Sequence, residues 1–250
     1  MTRCGVISEA AGITSRRPRD DKGGDRYEDE PGMTGRDRGR FITVEGSEGA
    51  GKSTHVASLV AHLEARGLDV VSTREPGGTP LAEDIRALLL ARREEPLDGL
   101  AELLLMFAGR AQHLAQVIRP ALAAGRWVVC DRFTDASFAY QGAGRAMGME
   151  KVAALAKLVH GDLQPDLTLY LDLPRELGLA RARSRGELDR FEVESDPFFD
   201  RVRRAYLDLA AAEPGRIHTV DAAGEIEDVR AGVLASVDAF LDRSLGQGGA

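Results

Sequence analysis

A glycine-rich segment, GSEGAGKS, occupies residues 46–53 and follows a short apolar, β-branched run at Phe41–Glu45. It matches the pattern G-x-x-x-x-G-K-[S/T] at every fixed position, and a periodic stretch at Lys52–Arg66 comes after it. Glycines at these positions let backbone N–H groups approach phosphate oxygens, and the following helix adds the positive end of its dipole. The segment therefore predicts a phosphate-binding P-loop between a strand and a helix.

The residues of this loop receive predicted roles in holding ATP. Lys52 supplies a positive charge to the outer phosphates, and the Ser53 hydroxyl is a ligand for Mg²⁺. Lysine is scarce, with 4 in the whole chain, so a lysine at the position that demands one argues against a chance glycine-rich turn. The predicted ATP-binding set from this loop is Gly46, Ser47, Glu48, Gly49, Ala50, Gly51, Lys52, Ser53 and Thr54.

From Phe41 onward, short β-rich runs alternate with helical runs. Such alternation implies parallel strands joined by right-handed crossovers. The prediction is an α/β P-loop NTPase fold, with a five-stranded parallel sheet and helices on both faces. The predicted strands are Phe41–Glu45, Asp69–Thr73, Arg126–Cys130, Leu167–Leu171 and Arg216–Val220. The bounded helices are Lys52–Arg66, Leu81–Ala91, Leu100–Ala124, Arg175–Arg183, Pro197–Ala212 and Ile226–Leu241.

Composition limits the partners and the compartment. Residues 1–40 are rich in Arg, Asp, Glu and Gly with few large apolar side chains, which predicts a disordered tail before a single domain at 41–245. The net charge of −7 argues against a nucleic-acid surface. No apolar stretch reaches the ~20 residues of a membrane helix. Cys4 and Cys130 lie far apart in the sequence, so we expect no disulfide and a cytoplasmic location.

Charged residues follow two further strands, at the edge of the sheet where ligands of such folds bind. Arg74 follows the second predicted strand within TREPGGT, and Asp131 and Arg132 follow the third. The acid is typical of an outer-sphere Mg²⁺ partner, although it could instead polarise an attacking group. Surface ion pairing alone is the alternative. Together with Lys52, these residues predict one shared crevice at three strand ends.

Two other segments carry candidate ligands. Phe107 and Arg110 are three apart on the long predicted helix and share a face, so a stacking ring beside a phosphate clamp is one interpretation and a core phenylalanine the other. The segment RARSRGELDR, residues 181–190, holds 4 arginines in ten positions. Arg181 and Arg185 share a helical face with no acid between them, which favours a lid, near 181–193, that closes on phosphates.

The P-loop by itself leaves several classes of protein open. GTPases read guanine through an Asn-Lys-x-Asp segment, and this chain contains no asparagine. Large ATPases need a longer folded region. A small nucleotide or metabolite kinase remains.

The chain resembles bacterial thymidylate kinases from Phe41 to about Leu241. The matching segments are EGSEGAGKST, TREPGGT, LLLMFAGRAQH, DRF, AYQGAGR, PDLTLYLDL and RARSRGELDRFE. The resemblance implies a nucleoside monophosphate kinase that transfers the γ-phosphate of ATP to thymidylate, using Mg²⁺. It also implies a homodimer, with which the apolar Leu103–Met106 run is compatible. Small-molecule nucleotides are the expected substrates, with neither nucleic acid nor membrane as a partner.

The resemblance also assigns roles to positions. It makes Glu48 the acid that holds the sugar 3′-hydroxyl, and Arg74 and Arg132 the clamps on the acceptor phosphate. It makes Phe107 the ring stacked on thymine, with Arg110 close to the base. Further acceptor-pocket residues are Ser137 and Gln141, and the catalytic set is Lys52, Asp131, Arg132 and Arg185.

Some positions depart from the family pattern. Gly49 stands where some relatives carry an arginine, and relatives without it supply one from the lid. Arg185 is the first candidate for that arginine, and the weaker ones are Arg181, Arg183 and Arg190. Arg181 is also predicted to bind ATP. Phe133 and the Ala136-Ser137 pair also differ from many relatives, which leaves base contacts open. A kinase for uridylate, cytidylate or a deoxynucleoside, and a non-catalytic nucleotide-binding module, stay as alternatives.

Overall fold

The computed structural model describes residues 38–183, 190–191 and 194–246. Within them, five parallel strands form one sheet in the order β2-β3-β1-β4-β5. The strands are β1 (Phe41–Gly46), β2 (Val70–Arg74), β3 (Trp127–Asp131), β4 (Leu167–Asp172) and β5 (Ile217–Asp221). The predicted α/β class and parallel sheet are confirmed, and each predicted strand end lies within one residue of the observed end.

Strand β1 lies at the centre of the sheet and is buried on both faces. Ile42 packs in an apolar cluster with Leu59 and Val237. Its neighbour Phe41 points to the other face and belongs to a cluster with Leu114. Successive side chains of a strand alternate between the faces, so a strand that is buried along its whole length needs helices on both sides.

The helices begin and end at recognisable sequence signals. Thr79 caps α2 by accepting the Ala82 N–H at 3.2 Å, and Asp98 caps α3 by accepting the Leu100 N–H at 2.9 Å. The helices are α1 (Lys52–Glu64), α2 (Pro80–Leu90), α3 (Gly99–His113), α4 (Arg119–Ala123), α5 (Thr134–Ser137), α6 (Met149–His160), α7 (Arg175–Arg183), α8 (Asp196–Ala212) and α9 (Ile226–Gly246).

The single helix predicted over Leu100–Ala124 is divided in the structure. Helix α3 ends at His113, a π-helical segment covers Leu114–Ile118, and α4 follows. Pro120 lies in the first turn of α4, where it has no N–H to donate to the preceding turn, and a wider turn before it accommodates this. A second π-helical segment, Phe138–Gly144, follows α5.

The last residues assigned to the tail make definite contacts. Gly39 donates its N–H to the Leu122 carbonyl at 2.9 Å, and Arg38 and Arg40 pair with Asp166. Residues 1–37 lie outside the described residues, so disorder of the tail stays a prediction. Among the described helices, none has the length and apolar character to cross a bilayer.

Candidate active site

The carboxyl ends of β1, β2 and β3 open into a cavity of about 300 Å³. Its lining joins residues that the sequence predicted from separate motifs: Glu48, Gly49, Gly51, Lys52, Ser53, Thr54, Arg74, Arg110, Asp131, Arg132, Ser137 and Gln141. Adjacent parallel strands place their ends at one edge, which explains why the motifs meet there. The expectation of one shared crevice therefore agrees with the structure.

The loop between β1 and α1 has the backbone conformation that its glycines allow. Gly49 and Gly51 have φ values of 77° and 81°, in the left-handed region. A Cβ on Gly49 would collide with the carbonyl oxygen of Gly178 in α7, so the loop and α7 approach each other backbone to backbone. A larger residue at position 49 would need α7 to move. Gly46, Ser47 and Ala50 belong to the loop but do not line the cavity.

Lys52 points back over the loop. Its ammonium group donates to the carbonyl oxygens of Gly46 at 3.1 Å and Ser47 at 2.9 Å. Burial and, next, the nearby charge of Arg132 lower the pKa of Lys52 to about 8, although neighbouring carboxylates oppose the shift. A buried lysine at the wall of a cavity favours an anionic ligand.

Ser53 and Asp131 lie together beside the loop. The Ser53 hydroxyl is 3.5 Å from the Asp131 carboxylate, and both residues line the cavity. A hydroxyl and a carboxylate are the oxygen donors that Mg²⁺ takes in phosphate-binding sites, usually with waters and phosphate oxygens completing the shell. The described residues contain no group of three or more His, Cys, Asp or Glu suited to a metal.

Arg132 and Glu48 form a charged pair in the middle of the cavity. Arg132 donates to Glu48 at 3.1 Å, and its guanidinium lies 4.8 Å from the Tyr140 ring centre. The Tyr140 hydroxyl also contacts both oxygens of Glu48, at 2.7 and 2.9 Å. Glu48 is thereby fixed from two sides.

Arg132 has an unusual backbone conformation, with φ of 71°. The Phe133 N–H next to it donates to the Glu45 carboxyl at 2.7 Å, and Tyr206 donates to the same carboxyl at 2.7 Å. Burial raises the pKa of Glu45 to about 8. The contacts of Glu45 hold the turn that presents Arg132. The sequence did not predict a role for Glu45, because a single acid at the end of a strand matches no motif.

Arg74, from the end of β2, forms the outer rim. Its guanidinium pairs with Glu83 at 2.8 Å, and its side chain is 53% exposed. An exposed pair of this kind contributes little stability, so Arg74 can exchange Glu83 for a ligand at low cost.

Arg110, on α3, is buried and lines the end of the cavity away from the glycine-rich loop. It donates to Glu75 at 2.7 Å, to the Phe133 carbonyl at 3.2 Å and to the Ser137 hydroxyl at 3.0 Å. Burial would raise the pKa of Glu75, but Arg110 and His113 outweigh it and lower that pKa below its ordinary value. The remaining nitrogen of Arg110, Nη1, is buried and has no hydrogen-bond partner among the described residues.

Phe107 does not reach the cavity. Its side chain is 2% exposed, packs with Leu103, Val152 and Ala156, and is absent from the cavity lining. The neighbouring Met106 lines the cavity instead. The base-stacking role predicted for Phe107 therefore does not fit its position, and the core interpretation does. A step of one residue turns a helical side chain by about 100°, and the apolar run supports either register.

The arginines of the predicted lid are only partly described. Arg181 donates to the carbonyl oxygens of Ala222 at 2.9 Å and Ala223 at 3.3 Å, and does not line the cavity. Arg185 and the side chain of Arg183 lie outside the described residues, so the choice among them stays a prediction. Arg190 is 2.7 Å from the buried Glu102 of α3, behind the cavity.

Nine residues that line the cavity were not among the predicted site residues: Glu75, Pro76, Arg86, Leu90, Met106, Phe133, Ala136, Tyr140 and Phe191. Glu75 lies within the TREPGGT motif and Tyr140 within the AYQGAGR motif. Both motifs were identified in the sequence, but neither of these residues was assigned a role. The signal that could have found Glu75 is a carboxylate directly after Arg74 in a tight turn. Phe191 and Met106 carry no such signal, because an isolated apolar residue is most often part of the core.

Comparison with known proteins gives a consistent result. The family model described as thymidylate kinase matches residues 44–233. A thymidylate kinase from Pseudomonas syringae pv. tomato is 61% identical over 207 residues, covering 83% of this chain and 97% of that protein. A thymidylate kinase from Teredinibacter turnerae is 55% identical over 203 residues, covering 81% of this chain and 99% of that protein. The crystal structure of thymidylate kinase from Ehrlichia chaffeensis has a TM-score of 0.65 and 34% identity, covering 80% of this chain and 99% of that one.

Proposed function

This chain belongs to the thymidylate kinase family, and on that premise we propose that it transfers the γ-phosphate of ATP to the phosphate of thymidylate. An oxygen of the thymidylate phosphate forms a bond to the γ-phosphorus while the bond to the β,γ-bridging oxygen breaks. The products are ADP and thymidine diphosphate, and no covalent enzyme intermediate is needed.

The observation that carries this proposal is the unpaired Nη1 of Arg110. Arg110 lines the cavity and its Nη1 has no acceptor among the described residues, so a carbonyl oxygen of a bound ligand would satisfy this donor. The O4 carbonyl of thymine is such an acceptor, whereas cytosine carries an amino group at that position. Arg110 is held rigidly by Glu75 and Ser137, so it cannot turn to suit a donor. The base end of the cavity thus favours thymidylate over cytidylate.

The other end of the cavity suits two phosphate groups that meet. The glycine-rich loop and Lys52 offer backbone N–H groups and a charge to a triphosphate. Arg132 and Arg74 offer guanidinium groups to the acceptor phosphate, and the proposed role of Glu48, which also lines the cavity, is to accept a hydrogen bond from the sugar hydroxyl. Positioning and charge stabilisation supply most of the catalysis in such transfers.

We also propose that Ser53 and Asp131 hold Mg²⁺ with the nucleotide. The ion, when bound, neutralises charge on the transferring phosphoryl group. The Asp131 carboxylate, 3.5 Å from the Ser53 hydroxyl, would hold the ion together with that hydroxyl. Arg185 stays the first candidate for a lid arginine, with Arg181, Arg183 and Arg190 as weaker ones. Arg181 donates to the Ala222 and Ala223 carbonyl oxygens and does not line the cavity, which supports its place among the weaker candidates.

The test is a steady-state assay with γ-³²P-labelled ATP and thymidylate, deoxyuridylate, deoxycytidylate, uridylate or thymidine as acceptor. We expect label in thymidine diphosphate, with the largest kcat/KM for thymidylate. Label in another acceptor at higher kcat/KM would assign a different kinase. ATP binding without transfer to any acceptor would favour a non-catalytic nucleotide-binding module.

We further propose that the chain forms a homodimer and is cytoplasmic. Exposed leucines on two packed helices support the dimer: Leu81 and Leu88 on α2, and Leu100 and Leu104 on α3. Leu103, in the predicted apolar run, is buried within the subunit. The buried free thiol of Cys130 suits a reducing compartment. Light scattering should give twice the chain mass for the wild type and the single mass for Leu100→Glu/Leu104→Glu, with exposed Leu158→Glu as control.

A further inference from the structure

Glu102, on α3, is a fully buried carboxylate that lies behind the cavity rather than in its lining. It accepts from the amide nitrogen of Gln141 at 2.8 Å. It also pairs with Arg145 at 3.3 Å and with Arg190 at 2.7 Å. These contacts tie together three separate parts of the chain. Buried ion pairs of this kind are often no better for stability than well-packed apolar residues, so their position deserves a functional explanation.

Glu102 determines which way the amide of Gln141 faces. A carboxylate only accepts hydrogen bonds, so the Gln141 amide must direct its NH₂ group at Glu102. Its carbonyl oxygen, Oε1, then lies on the other branch of the amide. Gln141 lines the cavity and is almost wholly buried. Rotation of its amide would direct the amide oxygen at the Glu102 carboxylate, and these two acceptors would then face each other without a donor.

Glu102 also supports a second wall of the cavity. Arg190 is held between the Glu102 carboxylate and the Leu89 carbonyl, to which it donates at 2.8 Å. The guanidinium lies 4.4 Å from the ring centre of Phe191, which lines the cavity. The Phe191 ring meets Tyr140 edge to face, with centres 6.1 Å apart.

We propose that Glu102 is a positioning residue that makes the acceptor pocket select thymine over cytosine by fixing the carbonyl oxygen of Gln141 toward the base. The proposal rests on the function proposed above. Thymine offers an N3–H donor next to its O4 acceptor, and cytosine offers an N3 acceptor next to an amino donor. Gln141 Oε1 and Arg110 Nη1 form the complementary acceptor and donor only for thymine. Loss of the Glu102 charge frees the Gln141 amide to turn and accept cytosine.

The experiment measures kcat and KM for thymidylate and deoxycytidylate, and KM for ATP, in Glu102→Gln. A glutamine can present either an oxygen or an NH₂ to Gln141, so the amide loses its fixed orientation. We expect the thymidylate-to-deoxycytidylate ratio of kcat/KM to fall about tenfold, mainly through KM for thymidylate. KM for ATP should stay within about twofold. The double variant Glu102→Gln/Gln141→Ala should match Gln141→Ala in this ratio.

Asp166→Asn is the matched control. Asp166 is a part-buried carboxylate that pairs with Arg38 and Arg40, as Glu102 pairs with two arginines, but it precedes β4 at the opposite edge of the sheet. We expect a lower melting temperature and an unchanged base ratio. Glu102→Asp serves as a second folded variant, because it keeps the charge and withdraws the carboxylate from Gln141. It should lower the ratio in the same direction.

Several outcomes would overturn the proposal. They are a folded Glu102→Gln with the wild-type ratio, equal loss in Asp166→Asn, and additive losses in the double variant. If circular dichroism shows that neither Glu102 variant folds, Glu102 serves the fold and the proposal is wrong. Absence of thymidylate turnover in the wild type itself would instead refute the proposed function, so the two failures are distinguishable.

Discussion

The two ends of the cavity are built in different ways. The phosphate-loop end comes from one contiguous stretch, residues 46–54, and Lys52 bonds to carbonyl groups only 5 and 6 positions back. The base end is assembled from distant side chains, since Arg110 contacts Glu75 and Ser137 across 35 and 27 positions. The loop end is shaped mainly by local backbone conformation, and the base end by contacts between distant side chains. The second therefore depends on the packing of more elements than the first.

Variants of two adjacent residues on α3, Met106 and Phe107, test which side chain belongs to the base end of the cavity. Phe107→Ala should lower the free energy of unfolding by ~3–5 kcal/mol, because it empties a core site, with KM for thymidylate within about twofold. Met106→Ala should cost less stability and raise KM for thymidylate, because Met106 lines the cavity. Urea titration and steady-state kinetics measure both. A raised KM for thymidylate in Phe107→Ala, with KM unchanged in Met106→Ala, would support the stacking role of Phe107 instead.

Removal of the loop charge should separate the two ends by function. Lys52→Ala should lower kcat by about 10²–10³-fold, equivalent to ~2.7–4 kcal/mol of transition-state stabilisation, by analogy with loss of one oxyanion donor. Thymidylate affinity, measured by calorimetry without ATP, should change little. Lys157→Ala is the control, since that lysine is exposed and pairs with the exposed Asp162. Near-normal turnover in Lys52→Ala would contradict the assigned role.

The turn that presents Arg132 should respond to pH through Glu45. Its pKa is about 8 in the folded chain against an ordinary 4.5, so the folded state holds a proton that the unfolded state releases between those values. Stability should therefore fall as pH rises from about 4.5 to about 8, by at most ~1.4 kcal/mol per unit for this group. In Glu45→Gln this component should vanish. Parallel urea-stability profiles for the two proteins across this range would show that Glu45 is ionised when folded.

The difference between the two ends also explains what sequence could predict. Alternation of apolar runs defined the sheet to within one residue at each strand end, because that pattern reflects burial directly. The loop residues followed from a motif whose backbone geometry is local. Arg74, Asp131 and Arg132 followed from the rule that ligands bind at the carboxyl ends of parallel strands.

Sequence failed where a role depends on helix rotation or on distant pairing. Whether Met106 or Phe107 faces the cavity depends on the rotation of α3 about its axis. Two adjacent apolar residues in a sequence do not indicate that rotation. The left-handed φ of Arg132 and the support it receives through Glu45 arise only when β1 and β3 lie side by side. Glu102 reads as an ordinary helix residue until α3 packs against the segment that carries Gln141.

The central claim is that one cavity holds ATP and thymidylate with their phosphates end to end. A ligand that joins adenosine to thymidine through a chain of phosphates tests it, with inhibition measured against each substrate in turn. The account predicts competitive inhibition against both ATP and thymidylate, and loss of this inhibition in Lys52→Ala and in Arg132→Ala. Competition with only one of the two substrates would contradict it.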